Sequence, residues 1–275
     1  MGFKISLAGD LGSGKSTVSK LIIARTGAEY YSTGTVCRAK AAEHGMSIDE
    51  FNRYMETHPE IDKMIDDDLA ALSDDPRTLI IDSRMAFHFV RGTFRVYLTV
   101  APRVSAERIL NDKRNGESFG TVAETEKRVA ARRKSENLRY FEKYGVHIMD
   151  MQNYDLVLDT TVLTPEQVSD LILASLDVWQ KAPDTRLCYL DYRRFMASEK
   201  WDDAKMADVR LALENGKNFP LATVYETDGL YYVESGLESI LAHAIQDAPI
   251  VPCRILPGMP TAPEAYHPLF EKEAL

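Results

Sequence analysis

Short unbroken apolar runs recur along the first part of the chain, separated by stretches whose apolar positions fall three and four residues apart. Residues 3–8 (FKISLA), 78–81 (TLII), 95–100 (RVYLTV) and 155–159 (DLVLD) read as buried strands, with residues 29–32 (EYYS) a shorter candidate. Val18, Leu21, Ile22 and Ile23 predict a helix over residues 16–25, and residues 33–38 open another. Ile61, Met64, Ile65, Leu69 and Leu72 predict a helix over 60–72, with further helices over 104–113 and 124–144. Two starts are marked by capping boxes. Ser47 and Glu50 begin a helix through Phe51 and Tyr54 that ends at His58-Pro59; Thr164 and Gln167, with Pro165 at the first helical position, begin one reaching about Trp179. Strands alternating with helices predict an α/β fold, a parallel sheet with helices on both faces.

After Lys181-Ala182-Pro183-Asp184, which reads as a linker, the pattern changes. Residues 187–192, 222–226, 230–233 and 250–256 are strand candidates and residues 204–214 and 237–246 helix candidates. Thr227-Asp228-Gly229 is a hairpin turn between two β-rich runs. At 275 residues the chain exceeds the usual domain size of roughly 100–150 residues. The expected division is a domain over 1–180 and a smaller α+β domain over 181–275, including a proline-rich tail from Pro257 expected to be extended packing or partly disordered.

The chemistry concentrates at Gly9 to Thr17, GDLGSGKST, which fills every fixed position of G-x-x-x-x-G-K-[ST] between a strand and a helix. Gly9, Gly12 and Gly14, with Ser13 between the last two, let backbone N–H groups approach phosphate oxygens. The following helix, opened by Lys15, Ser16 and Thr17, adds unpaired N–H donors at its positive end. Lys15 is placed for the outer phosphates of ATP and the Ser16 hydroxyl for a nucleotide-bound Mg2+. Asp82 closes the strand at 78–81, at the sheet edge where α/β proteins bind ligands; it reads either as a carboxylate of the magnesium shell or as a local helix cap. Thr33-Gly34 with Arg38 one turn later reads either as a second anion site or as an ordinary helix start. The stretch 124–144 places Arg128, Arg132, Arg133, Lys134 and Arg139 within twelve residues; a solvated helix face is one meaning, and a closing lid that brings cations over transferring phosphate is the favoured one.

Composition narrows the partners. Hydrophobic residues make up 45% and charged residues 27%, ordinary globular values. A net charge of −9 argues against extended nucleic-acid binding, so any polyanion site must be local. Cys37, Cys188 and Cys253 form neither a zinc pattern nor a disulfide framework, which suggests a reducing cytoplasm. No run reaches the roughly 18 apolar residues needed to cross a bilayer, and no membrane partner is expected.

Five segments in order, GDLGSGKST, YYSTGTVCR, MSIDEFNRYMETHPEIDKMIDD, IIDSR and RRKSENLRYFEKYG, followed by YDLVLDT, resemble the cytidylate-kinase-like nucleoside monophosphate kinases over residues 3–180. The resemblance implies a P-loop α/β kinase that uses ATP and Mg2+ to phosphorylate CMP or dCMP. It places Thr33, Gly34 and Arg38 at the acceptor monophosphate, Arg84 on acceptor phosphate or base, Arg132 and Arg139 as lid arginines and Glu136 near the acceptor sugar. Lys15, Arg38, Arg84, Arg132 and Arg139 would be the catalytic cations. Ser83 stands where the family has glycine, and Ser135 and Asn137 where it often has arginine. Two other readings stay open: a P-loop kinase of a different small metabolite, and a nucleotide-binding regulator with little turnover.

Residues 186–257 resemble the ParB/sulfiredoxin-like fold, whose members bind or hydrolyse nucleotides through a Gly-x-His-Arg-like segment. Here Gly236 is followed by Leu237, Glu238 and Ser239, so a binding, regulatory or dimerising module is expected. Glu234 and Glu238 read as a solvated pair one helical turn apart.

Overall fold

A computed structural model describes residues 2–112 and 120–270. The predicted βα alternation is realised. β1 (Lys4–Gly9) leads through the glycine loop to α1 (Lys15–Thr26), and β2 (Glu29–Ser32) to α2 (Thr33–Glu43). α3 (Ile48–Thr57) and α4 (Pro59–Ala71) precede β3 (Leu79–Asp82) and a short unpredicted helix, α5 (Ala86–Phe89). β4 (Phe94–Thr99), α6 (Pro102–Asn111), α7 (Val122–Tyr144), β5 (Leu156–Asp159) and α8 (Pro165–Lys181) follow. The helix expected to run to Lys113 ends at Asn111, and Lys113 itself lies outside the described residues.

Three helix starts obey their sequence signals. The capping boxes of Ser47/Glu50 and Thr164/Gln167 both close, and a third, Thr121/Glu124, starts α7. Each pairs the N-cap hydroxyl with an orphan N–H while the third-position side chain returns to the cap.

Five strands lie in the order β2-β3-β1-β4-β5, every neighbouring pair parallel. Ile5, Leu7, Ile80, Val96, Leu98, Leu156 and Leu158 are fully buried there, because helices cover both faces of a parallel sheet and apolar runs tolerate burial on both sides. Val18, Ile22, Val168, Ile172 and Leu176 of α1 and α8 pack onto the same cluster.

The sheet does not stop at β5. β6 (Leu187–Asp191) adds to it in parallel, and β10 (Ile250–Leu256) is antiparallel to β6 through Ile250–Pro252 and parallel to β8 (Ala222–Thr227) through Cys253–Leu256. β8 and β9 (Leu230–Ser235) form the predicted hairpin, with Asp228 at φ 52° and Gly229 at φ 80° in its turn. Beyond them come β7 (Phe195–Ala197) and β11 (His267–Pro268), neither of which was predicted. Among the described residues eleven strands thus form one sheet. α9 (Asp203–Glu214) and α10 (Leu237–Ile245) complete the C-terminal part, whose core includes Leu190, Phe195, Val224, Tyr231, Ile240, Leu241 and Val251.

The tail is anchored near its described end, where the Trp201 indole donates to the carbonyl of Leu269, itself buried, while residues 261–265 are exposed. Glu234 and Glu238 are not a helical pair. Glu234 lies in β9 and Glu238 in the first turn of α10, where it faces Lys205 at 3.2 Å. Cys188 and Cys253, 65 positions apart, meet at an Sγ–Sγ distance of 3.7 Å as free thiols because β6 and β10 are neighbours.

Candidate functional site

All five parallel strands present their C-terminal ends on one edge, and the conspicuous polar groups of the N-terminal part gather there. Gly9 ends β1 with its φ at 145°, and a Cβ on it would meet the Leu98 carbonyl oxygen at 2.3 Å, so only glycine permits this approach. Gly14 is the N-cap of α1 in the left-handed region, and no side chain caps the helix. Its first-turn N–H groups are therefore directed at the loop, the arrangement that binds phosphate.

The loop is held from outside. Ser13 Oγ donates to the Asp10 carbonyl at 2.8 Å and Ser105 Oγ to that of Leu11 at 2.7 Å. Arg108 donates to the carbonyls of Gly12 (3.3 Å) and Thr160 (2.8 Å), tying the loop to the end of β5. Lys15 Nζ donates to the carbonyls of Gly9 and Asp10 at 2.9 and 2.8 Å. Burial holds its pKa below the usual lysine value, opposed by Asp82 and, further down, by Asp10 and Glu136. A group in this state gains most when an anion replaces lost solvent.

Two concave regions adjoin. A groove of about 900 Å³ is lined by Leu11 to Thr17, Arg38, Arg108, Arg128 and Arg132, so cations from α2, α6 and α7 surround the glycine loop. A second cavity of about 340 Å³ lies between the start of the loop, the end of β4 and α7, lined by Tyr97, Tyr154, Ile148 and Met149 and by Arg84 and Glu136.

Glu136 joins the two. Its carboxylate receives Arg84 Nε at 2.7 Å and Arg132 Nε at 2.9 Å, one turn back on α7. Asp82 accepts from the Tyr30 hydroxyl at 2.8 Å; burial and then Asp82 push the Tyr30 pKa up to about 12. Arg38 donates to Thr35 Oγ1 at 3.1 Å and folds back over Gly34, where a Cβ would lie 3.5 Å from its guanidinium. Thr33 and Gly34 open α2, whose N-terminus Ser32 Oγ caps through Thr35 N. Arg139 stands apart, lying over the Tyr140 ring at 5.1 Å. The far end of α7 is fastened to α4 by Lys143–Asp62 at 2.5 Å and by the Tyr144 hydroxyl on Asp66 at 2.7 Å.

The sequence reading gave no role to Asp10, Arg108, Arg194 or Glu226 in this neighbourhood, and took Arg133 only as one cation of a basic helix. Asp10 occupies a free position of the loop motif, yet its carboxylate accepts from the Tyr97 hydroxyl at 2.8 Å, Thr99 Oγ1 at 2.9 Å and Val100 N at 3.2 Å. Arg133 reaches it at 3.6 Å, and Glu226 of the C-terminal hairpin lies 3.6 Å from the same guanidinium. Arg194, 2% exposed, donates to Asp159 at 2.7 Å, Thr99 at 3.2 Å and the Gly229 carbonyl at 2.7 Å. Only Arg133 carried a signal, as one cation of a basic helix. Arg108, Arg194 and Glu226 sit in ordinary patterns, and the partners that bring them here, Thr160, Asp159 and Arg133, are 35 or more residues away.

Comparison with known proteins agrees with this geometry. A family model described as an AAA domain matches residues 5–128. A cytidylate kinase of Thermoplasma volcanium is 37% identical over 178 residues, 63% of this chain and 91% of that protein. A cytidylate kinase of Archaeoglobus fulgidus is 32% identical over 176 residues, 64% of this chain and 95% of that protein. An S-adenosylmethionine-dependent nucleotide dehydratase of Lacinutrix mariniflava is 36% identical over 171 residues, and the match spans 62% of this chain but 35% of that protein.

Proposed function

Because the chain belongs to the cytidylate kinase family and is a P-loop phosphotransferase, we propose that it transfers the γ-phosphoryl group of ATP to a nucleoside monophosphate, with CMP or dCMP the preferred acceptor. The observation that carries this reading is the bridge Arg84–Glu136–Arg132, which links the cation-lined phosphate groove to the adjoining cavity. A donor triphosphate in the groove and an acceptor at the cavity rim would meet over Lys15.

In this reading an acceptor phosphate oxygen attacks the γ-phosphorus in line as the bond to the ADP oxygen breaks. Lys15, Arg38, Arg84 and Arg132 position the two phosphates and neutralise charge, and no side chain acts as nucleophile. Thr33 and Gly34 lie at the acceptor monophosphate beside Arg38, and Glu136 orients Arg84 and Arg132 while remaining available to a sugar hydroxyl. Arg139 would join them on movement of α7. The backbone of Gly9, Gly12, Ser13, Gly14 and Thr17 cradles donor phosphates. The Ser16 hydroxyl and the Asp82 carboxylate are hard oxygen donors of the kind Mg2+ takes alongside substrate phosphates, and Tyr30 holds Asp82 in place. When bound, Mg2+ would neutralise charge on the donor phosphates.

The test is magnesium-dependent ADP release from ATP with CMP, dCMP, UMP, AMP and no acceptor. Stimulation by CMP or dCMP above the others supports the reading. Stimulation only by a different acceptor reassigns the substrate, and ATP binding with no acceptor effect overturns the reading.

A further inference from the structure

The T. volcanium and A. fulgidus kinases match 63–64% of this chain while 91–95% of their own length is covered, so the C-terminal part is an addition to a nearly complete kinase. Its β8–β9 hairpin nevertheless ends inside the kinase edge. The tip is built for that position: Glu226 Oε1 accepts from Gly229 N at 2.8 Å, which closes the turn. A Cβ on Gly229 would stand 3.2 Å from Arg133 Nη1 and 3.6 Å from Arg194 Nη2, so arginines from both parts of the chain flank the turn.

The contacts form a closed ring. Arg133 on α7 faces Asp10 of the glycine loop; Asp10 is bonded to Thr99; Thr99 receives Arg194; Arg194 holds Gly229, and Glu226 of the same hairpin returns to Arg133. Arg194 is locked by Asp159 and by the face of Tyr231 at 4.9 Å. Arg133 is not saturated. Its Nε donates to Met149 Sδ at 3.2 Å, but Nη2 is buried without a hydrogen-bond partner, since Glu226 at 3.6 Å is beyond that range. A buried guanidinium N–H left unpaired is costly and points to a partner supplied by a ligand.

Arg133 and Asp228 both line the 340 Å³ cavity, together with Arg84 and Glu136. That volume falls in the range of small-molecule pockets, about 300–1,000 Å³. Its aromatic and apolar wall suits a planar ring, and the phosphates have the separate groove.

Resting on the kinase reading, we propose that this cavity takes the nucleoside half of the acceptor, that Arg133 donates to it, and that Glu226 of the C-terminal hairpin is the positioning residue that holds Arg133 there. The added C-terminal part thereby acts on acceptor selection. A guanidinium held between two carboxylates, Asp10 at Nε and Glu226 at Nη2, loses less rotamer freedom when a ligand arrives, so the restraint affects acceptor affinity and leaves the donor groove alone.

The experiment uses the full chain and three variants, Arg133→Lys, Glu226→Gln and the double variant, with KM and kcat read for both substrates, CMP being the acceptor probe. Arg133→Lys, which keeps the charge but loses the fork, is expected to raise acceptor KM by about tenfold, Glu226→Gln by about threefold, and the double variant no more than Arg133→Lys alone. ATP KM is expected to stay within about twofold throughout. Multiplying effects in the double variant, a change in ATP KM instead, or unchanged acceptor KM in both single variants would overturn the proposal even with the kinase reading intact. Wild-type chain that binds CMP calorimetrically without turning it over would overturn the kinase reading; the same variants would then test the cavity through the binding constant. No binding of CMP, dCMP, UMP or AMP overturns both.

Discussion

The two ends of the sheet bring polar groups to the same place by different means. In β2-β3-β1-β4-β5 every strand points the same way, so Gly9, Asp82, Thr99 and Asp159 reach one edge simply by ending their strands. In the C-terminal part pairing is mixed, and Glu226 and Gly229 reach that edge because a tight turn sends a two-stranded arm toward it. A parallel sheet thus gathers a site from topology alone, whereas an antiparallel arm must be docked by specific contacts. Deleting a docking contact should damage both regions, and deleting a strand-end group should damage only the site.

The largest effect is expected at the docking contact. Arg194→Met strands Asp159, 0% exposed, without its partner, and removal of one member of a buried ion pair costs about 3–5 kcal/mol. Denaturant unfolding of the variant is the measurement, and a loss below 1 kcal/mol would mean that the two parts are not coupled through this arginine. At the strand-end site, Lys15→Ala should lower kcat by about 10²–10³, by analogy with loss of one transition-state donor, with little loss of thermal stability. Equal damage to turnover and melting temperature would assign Lys15 to folding instead.

A smaller effect tests the start of α7. Thr121→Ala removes the hydroxyl that accepts from Glu124 N at 3.2 Å and should cost about 1 kcal/mol, read by denaturant unfolding. The smallest effect concerns pH. Burial raises the Glu226 pKa, opposed by Arg133, the Gly229 N–H and Arg194 and reinforced by Asp10. The folded state then binds its proton more tightly than the unfolded state, so stability falls as pH rises from the ordinary glutamate value of 4.5 through the raised one. Glu226→Gln abolishes that contribution, and the melting temperature of the variant relative to wild type should improve from pH 4 to pH 7. A pH-independent difference would place Glu226 in a solvated setting.

Much of this was legible before the fold was known. The glycine loop announced itself because its chemistry is local: strand, turn residues, lysine and hydroxyl lie within thirteen positions. Helices α3 and α8 were legible from capping boxes for the same reason. The anchor of the proline-rich tail was not legible, because the contacts of Leu269 with β7 and Trp201 come from residues 68 or more positions earlier. Glu234 and Glu238 did mislead: an i,i+4 spacing has helical meaning only if both residues lie in the helix, and Gly236 at φ 81° separates strand from helix between them.

What the sequence determined by itself was the phosphate-binding loop, the parallel order of strand and helix that carries it, and the turn at Asp228-Gly229. Each is set by interactions within a few residues: backbone freedom, periodic burial, caps. Only the tertiary structure decided that Asp10, Thr99, Arg133, Arg194 and Glu226 share one neighbourhood, because their meeting depends on which strands lie side by side and how far a hairpin reaches. Sequence spacing does not encode either, since an ion pair between Arg133 and Glu226 leaves no mark on the residues around them.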